Sequence, residues 1–161
     1  MAGNHTVADT PVRKVVLVLG LRGAGRDCLA FACRTALANN ARLLLLLTVP
    51  APEFNLLGRI SSFMRDDLRH QAERVLERTA AQACGFLGTD AETVLREGEA
   101  CHQLLDFLES SPDVAMVLVD AALPRTDWRC APRGGTVEAM LSERISVPVT
   151  LVPDRFTQAA L

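Results

Sequence analysis

With 161 residues, 49% of them hydrophobic and 22% charged, the chain is long enough to bury one ordinary core and too apolar for a disordered segment. Seventeen basic against nineteen acidic side chains leave a net charge of −2, which excludes the strong positive field of a typical nucleic-acid binder. The N-terminal "MAGNHTVADTPVRK" lacks the charged-then-apolar pattern of a secretory leader, and the leucine run Leu43 to Leu47 is far too short to span a bilayer, so a cytoplasmic protein without membrane insertion is expected.

A polar stretch over residues 1–11 reads as a flexible N-terminal tail, followed by one domain over 12–154 and a short C-terminal tail over 155–161. "RKVVLVLG" predicts a first strand, and Leu29, Ala32, Cys33, Ala36 and Leu37 then recur at helical spacing. "ARLLLLLTVP" is apolar throughout rather than alternating, the pattern of a central strand covered on both faces. After a loop with Pro50, Pro52 and Gly58, a long helix is predicted, with Ile60, Met64, Leu68, Ala72, Val75, Leu76, Thr79 and Ala83 on its inner face. Its charges, Asp66, Arg69, His70, Glu73 and Glu77 among them, read as a solvated face with i,i+4 partners.

"AETVLREG" predicts a third strand, "EACHQLLDFLESS" a third helix and "DVAMVLVDA" a fourth strand. The loop "ALPRTDWRCAPRGG" leads into a fourth helix, "TVEAMLSERI", which Thr136 can cap, and "VPVTLVP" closes the pattern as a fifth strand. Strict β-α alternation predicts an α/β fold: a single doubly wound parallel sheet of five strands with helices on both faces. Any ligand then belongs outside the carboxyl ends of the strands.

The glycines that follow the first strand, Gly20, Gly23 and Gly25, have the setting of a phosphate loop but not its spacing. Neither G-x-G-x-x-G nor G-x-x-x-x-G-K-[ST] is present. A tight strand-to-helix turn without ligand accounts for them equally well. The five cysteines are odd in number and lack C-x-x-C spacing, so reduced thiols are expected. Cys101 and His102 are neighbours in a predicted helix and point about 100° apart, which makes them a poor dyad or metal site. No metal site is expected.

The order of elements, with "GGTVEAMLSERISVPVTLVP" at Gly134 to Pro153, resembles the universal stress protein family over about residues 13–153. Gly135, Thr136, Val137, Pro148 and Val149 stand at the family's Gly-Ser/Thr helix start and its "VPV" strand. Thr48 and Val49 stand where its second strand ends in His-Val, and a Gly-containing turn precedes the third helix. The resemblance implies strand order 3-2-1-4-5, a homodimer built on the fifth strand, and a nucleotide cleft in those members that bind ATP. Gly20, Val49, Gly134, Gly135, Thr136 and Val137 would line that cleft here. The carboxylate that such members carry at the end of the first strand is replaced, Gly20, Leu21 and Arg22 standing at Asp-Gly-Ser. In the pattern G-x-x-G, nine residues, G-[ST], the first two glycines become Ala122 and Arg125. The chain resembles the members with a degenerate motif, and no cofactor is expected.

Arg125, Arg129 and Arg133 approach the Gly134-Gly135-Thr136 helix start with Trp128 among them. They read either as an anion-binding loop or as a solvated arginine-rich one. Val147, Val149, Thr150, Leu151 and Val152 would form the dimer edge. No G-x-S-x-G, H-E-x-x-H or Ser-Gly-Gly-x-Asp-Ser loop is present, so an enzyme is not expected. The expected function is regulatory: a stress-response homodimer acting on a protein partner. The alternative is a small-molecule or nucleotide-binding module that uses a degenerate cleft between the first and fourth strands, taking a small anionic ligand.

Overall fold

The computed structural model describes residues 11–51, 58–123 and 145–153, with 58–61 as backbone alone. Its elements run β1 (Lys14–Leu19), α1 (Arg26–Ala38), β2 (Arg42–Val49), α2 (Gly58–Leu87), β3 (Glu92–Glu97), α3 (Ala100–Glu109), β4 (Val114–Asp120) and β5 (Val149–Val152). The strands form one parallel sheet in the order β3-β2-β1-β4-β5. This is the topology expected from the alternation and from the resemblance. The chain switches direction across the sheet between β1 and β4, and the carboxyl ends of these two strands are where folds of this class bind ligands.

The unbroken apolar runs of β1 and β2 are explained by burial on both faces. Val15, Leu17, Leu19, Leu43, Leu45 and Leu47 pack against α1 and α2, through Leu29, Ala32, Cys33, Ala72, Val75 and Leu76. The alternate residues Val16, Val18, Leu44 and Leu46 pack on the other face, against Leu104, Leu105 and Phe107 of α3. A two-residue period therefore divides one apolar run between two cores.

Two expectations need correction. Met64, assigned to the inner face of the long helix, is 61% exposed, beside Phe63 at 83%. Burial begins only at Leu68, which is half-buried, and becomes complete at Ala72, because the first turns of α2 run past the sheet they would cover. Cys28, Cys33 and Cys84 form no disulfide, as expected, but Cys101 is disulfide-bonded. The tails, the arginine-rich loop and the fourth helix of the sequence reading also fall outside the described residues, except for Ile145 at that helix's end.

At the amino edge of the sheet Lys14 Nζ lies 3.2 Å from Glu92 Oε2 and 3.3 Å from Asp113 Oδ2, fastening the starts of β1, β3 and β4 together. Burial lowers the Lys14 pKa, but hydrogen bonds to Glu92 and Asp113 and their negative charges outweigh it, so the ammonium titrates above its ordinary value.

Candidate functional site

The carboxyl edge of the sheet is built from two turns. In the first, Gly23 N–H donates to Gly20 O at 2.9 Å, closing a four-residue turn directly after β1. Gly23 has φ of +79°, a conformation that only glycine adopts without strain. Leu21, carried on that turn, packs onto the α1/α2 core. Gly25 then starts α1 with φ of −58°, so its backbone does not demand glycine. The first turn of the "GLRGAG" stretch is thus a structural device.

The second turn follows β4, which ends in Asp120, a carboxylate only 6% exposed. Its Oδ2 accepts the Gly25 N–H at 3.1 Å and its Oδ1 accepts the Ala122 N–H at 2.9 Å. Its own carbonyl accepts from Leu123 N–H at 3.0 Å. The side chain therefore joins the head of α1 to the exit of β4, across the switch point. Its negative charge lies at the positive end of α1, whose first turn also carries Asp27. Among the described residues no cationic side chain pairs with Asp120, and backbone dipoles alone answer the charge.

Gly20 and Val49 both lie at this edge. Gly20 is half-buried and offers no side chain, whereas Val49 is 3% exposed, its side chain is in the core, and its carbonyl accepts the Gly98 N–H at 2.8 Å. Gly134, Gly135, Thr136, Val137, Arg125, Arg129 and Arg133 lie outside the described residues. Asp120 is the residue that sequence reasoning passed over. Its signal was a lone carboxylate ending the apolar run "AMVLVD".

Two other groupings lie away from the switch point. A groove of about 740 Å³ between α2 and β3 is lined by Glu73, Glu77, Leu76, Cys84 and Asp90 among others. His102 Nδ1 meets Glu99 Oε2 at 2.7 Å on the surface while its neighbour Cys101 is buried, so the two do not form a dyad. Among the described residues no group of three or more His, Cys, Asp or Glu is placed to hold a metal ion, and no helix is long and apolar enough to cross a membrane.

No protein-family model matches the chain, and no curated protein matches it. Solved structures do. The universal stress protein UspA from Lactobacillus plantarum superposes with a TM-score of 0.64 at 16% identity, covering 88% of this chain and 99% of that one. A universal stress protein from Archaeoglobus fulgidus, in complex with dAMP, gives 0.58 at 16% identity over 86% of this chain and 96% of that one. A universal stress protein family protein from Arabidopsis thaliana with AMP bound gives 0.54 at 14% identity over 91% and 94%. The chain is thus a doubly wound α/β protein whose strand order reverses between β1 and β4. Its fold is that of the universal stress proteins.

Proposed function

We propose that this chain is a universal-stress-protein-like regulator: a cytoplasmic homodimer that acts by binding a protein partner, without turnover and without ordinary ATP binding. The observation that carries this reading is the turn after β1. Gly20 closes it, Leu21 is packed inward, and the carboxylate that nucleotide-binding members of the family carry there is absent. The cleft residue Val49 is committed to the core as well. Nothing along the described carboxyl edge combines a nucleophile, a base and a donor pair in the way that catalysis requires. Calorimetry with ATP and AMP tests the reading: no saturable heat at micromolar concentrations is expected. Stoichiometric micromolar binding, about 8 kcal/mol at the 1 M standard state, would overturn it.

The second reading is a nucleotide- or small-molecule-binding module. It is favoured by the structural neighbours solved with dAMP and AMP, and it predicts that positive calorimetric result.

A further inference from the structure

We propose that the outer edge of β3, with the groove beside it, takes an extended cationic segment of a partner protein as an added strand. This rests on the reading above, for which it names the contact surface and the chemistry of the partner. Gly98 N–H donates to Val49 O of β2 at 2.8 Å, so by strand alternation the N–H and C=O groups of Thr93, Leu95 and Glu97 point away from β2. Among the described residues no strand pairs with β3 on that side.

Edge strands are usually blunted by proline, by a bulge or by a charge that reaches over the edge. The sequence of β3 is ETVLRE, and its register with β2 runs without a bulge. Its three charges are turned back onto the domain: Glu92 meets Lys14, Glu97 meets Arg65 and Arg69, and Arg96 Cζ lies 5.6 Å from the centre of the Phe107 ring. The devices that would guard the edge are therefore spent elsewhere, and Thr93 stands exposed on it.

Charge and spacing choose the occupant. The groove of about 740 Å³ between β3 and α2 is lined by the apolar Leu76, Ala80 and Leu95 and by the carboxylates of Glu73, Glu77 and Asp90. The cation of the lining, Arg69, is engaged by Glu73 and Glu97, while among the described residues Glu77 and Asp90 form no ion pair. This negative excess favours a cationic segment and opposes a second copy, whose own β3 would bring the same carboxylates. On a strand, side chains two residues apart share a face at about 6.6 Å, close to the rise of about 6 Å from Glu73 to Glu77 along α2. Lysine or arginine at alternate positions would lay apolar stems on Leu76 and Ala80 and present their charges to the carboxylates.

The probe is a blocked peptide of alternating lysine and threonine, about eight residues long, titrated into the full-length protein and followed by calorimetry and amide resonances. One control carries glutamate for lysine, and another is N-methylated along its backbone, which keeps the charge but removes every donor. Saturable binding of the lysine peptide alone is expected, with the Thr93, Leu95 and Glu97 amides shifting and exchanging more slowly. Glu77→Lys, at an exposed site, should weaken binding at least about tenfold. Thr93→Pro should abolish it, because proline is tolerated where an edge N–H faces outward but donates nothing. Circular dichroism checks both folds, and should Thr93→Pro fail to fold, Glu77→Lys and the methylated peptide decide.

No binding of the lysine peptide, equal binding of the methylated one, or binding unchanged by Glu77→Lys overturns the proposal. So does a wild-type dimer that Thr93→Pro dissociates, which would seat a second copy on this edge. Each of these results leaves the regulatory reading standing with its partner on another surface. Micromolar ATP binding by a protein whose β3 edge still takes the peptide would defeat that reading alone.

Discussion

Arg65 Nη2 lies 2.6 Å from Glu97 Oε2, and through this contact the N-terminal half of α2 holds the last residue of β3. Arg69 adds a second bond from Nη1 to Glu97 Oε1 at 3.0 Å, while its Nε lies 3.3 Å from Glu73 Oε1 on the same helix. Charges that read in sequence as a solvated helix face therefore also clasp a strand.

The clasp makes stability depend on acid. The Arg65 hydrogen bond, reinforced by the charges of Arg65 and Arg69 against a smaller opposing effect of burial, holds the Glu97 carboxyl below its ordinary value. A depressed folded pKa contributes stability that is full above the unfolded value of about 4.3 and is lost as pH falls through the folded one. Glu97→Gln should melt below wild type at about pH 7, and the gap should be narrower at about pH 3. Thermal melts of both proteins at the two pH values check this.

Leu45 and Leu46 are adjacent in β2, each is 0% exposed, and each faces a different core. Truncation of either to Ala should cost about 2–5 kcal/mol, because both leave a cavity under a helix. Urea denaturation measures it. A sheet with one solvated face would spare one of the two.

Gly23→Ala forces a β-carbon into a left-handed conformation and should cost about 1–2 kcal/mol. Gly25→Ala keeps an ordinary φ and gives up only the N-cap preference of glycine over alanine, so its cost should stay below about 1 kcal/mol. The ratio of the two, from denaturant midpoints, separates a glycine that the turn requires from one that it tolerates.

The proposed dimer edge has a testable polarity. Pro148 and Val152 carbonyls accept from Val117 and Ala121 N–H of the β4 side at 2.9 and 3.0 Å. By strand alternation the N–H groups of Val149 and Leu151 point outward, and the Leu151 side chain is 53% exposed. Light scattering should give about twice the monomer's 17.4 kDa. Leu151→Lys, a charge on an open edge, should shift the protein toward monomer without unfolding it. A wild-type monomer at high concentration would remove the dimer from the proposed function.

The two-faced burial of β1 and β2 and the glycine turn after β1 were legible in sequence, because each follows from local pattern, unbroken apolar runs and closely set glycines, whereas the strand order came from the resemblance to the universal stress protein family. Met64 was misplaced because periodicity continues beyond the point where α2 leaves the sheet. Cys101 was read as reduced because odd numbers and irregular spacing describe the chain, not the distances within the fold. Asp120 was missed for a similar reason. Its partner Gly25 lies 95 residues away, and only the return of β4 beside β1 brings them together.

Lys14 is the only lysine among 161 residues, so the one side-chain amine of this protein is the one held between Glu92 and Asp113. Acetylation or any other amine-directed modification within the chain has that single side-chain address, at the edge of the sheet opposite Asp120. Neutralising it would leave two carboxylates facing each other across the starts of β3 and β4. Once the α-amine is blocked, an amine-reactive label would therefore report less on the surface at large than on whether the amino ends of the sheet remain tied.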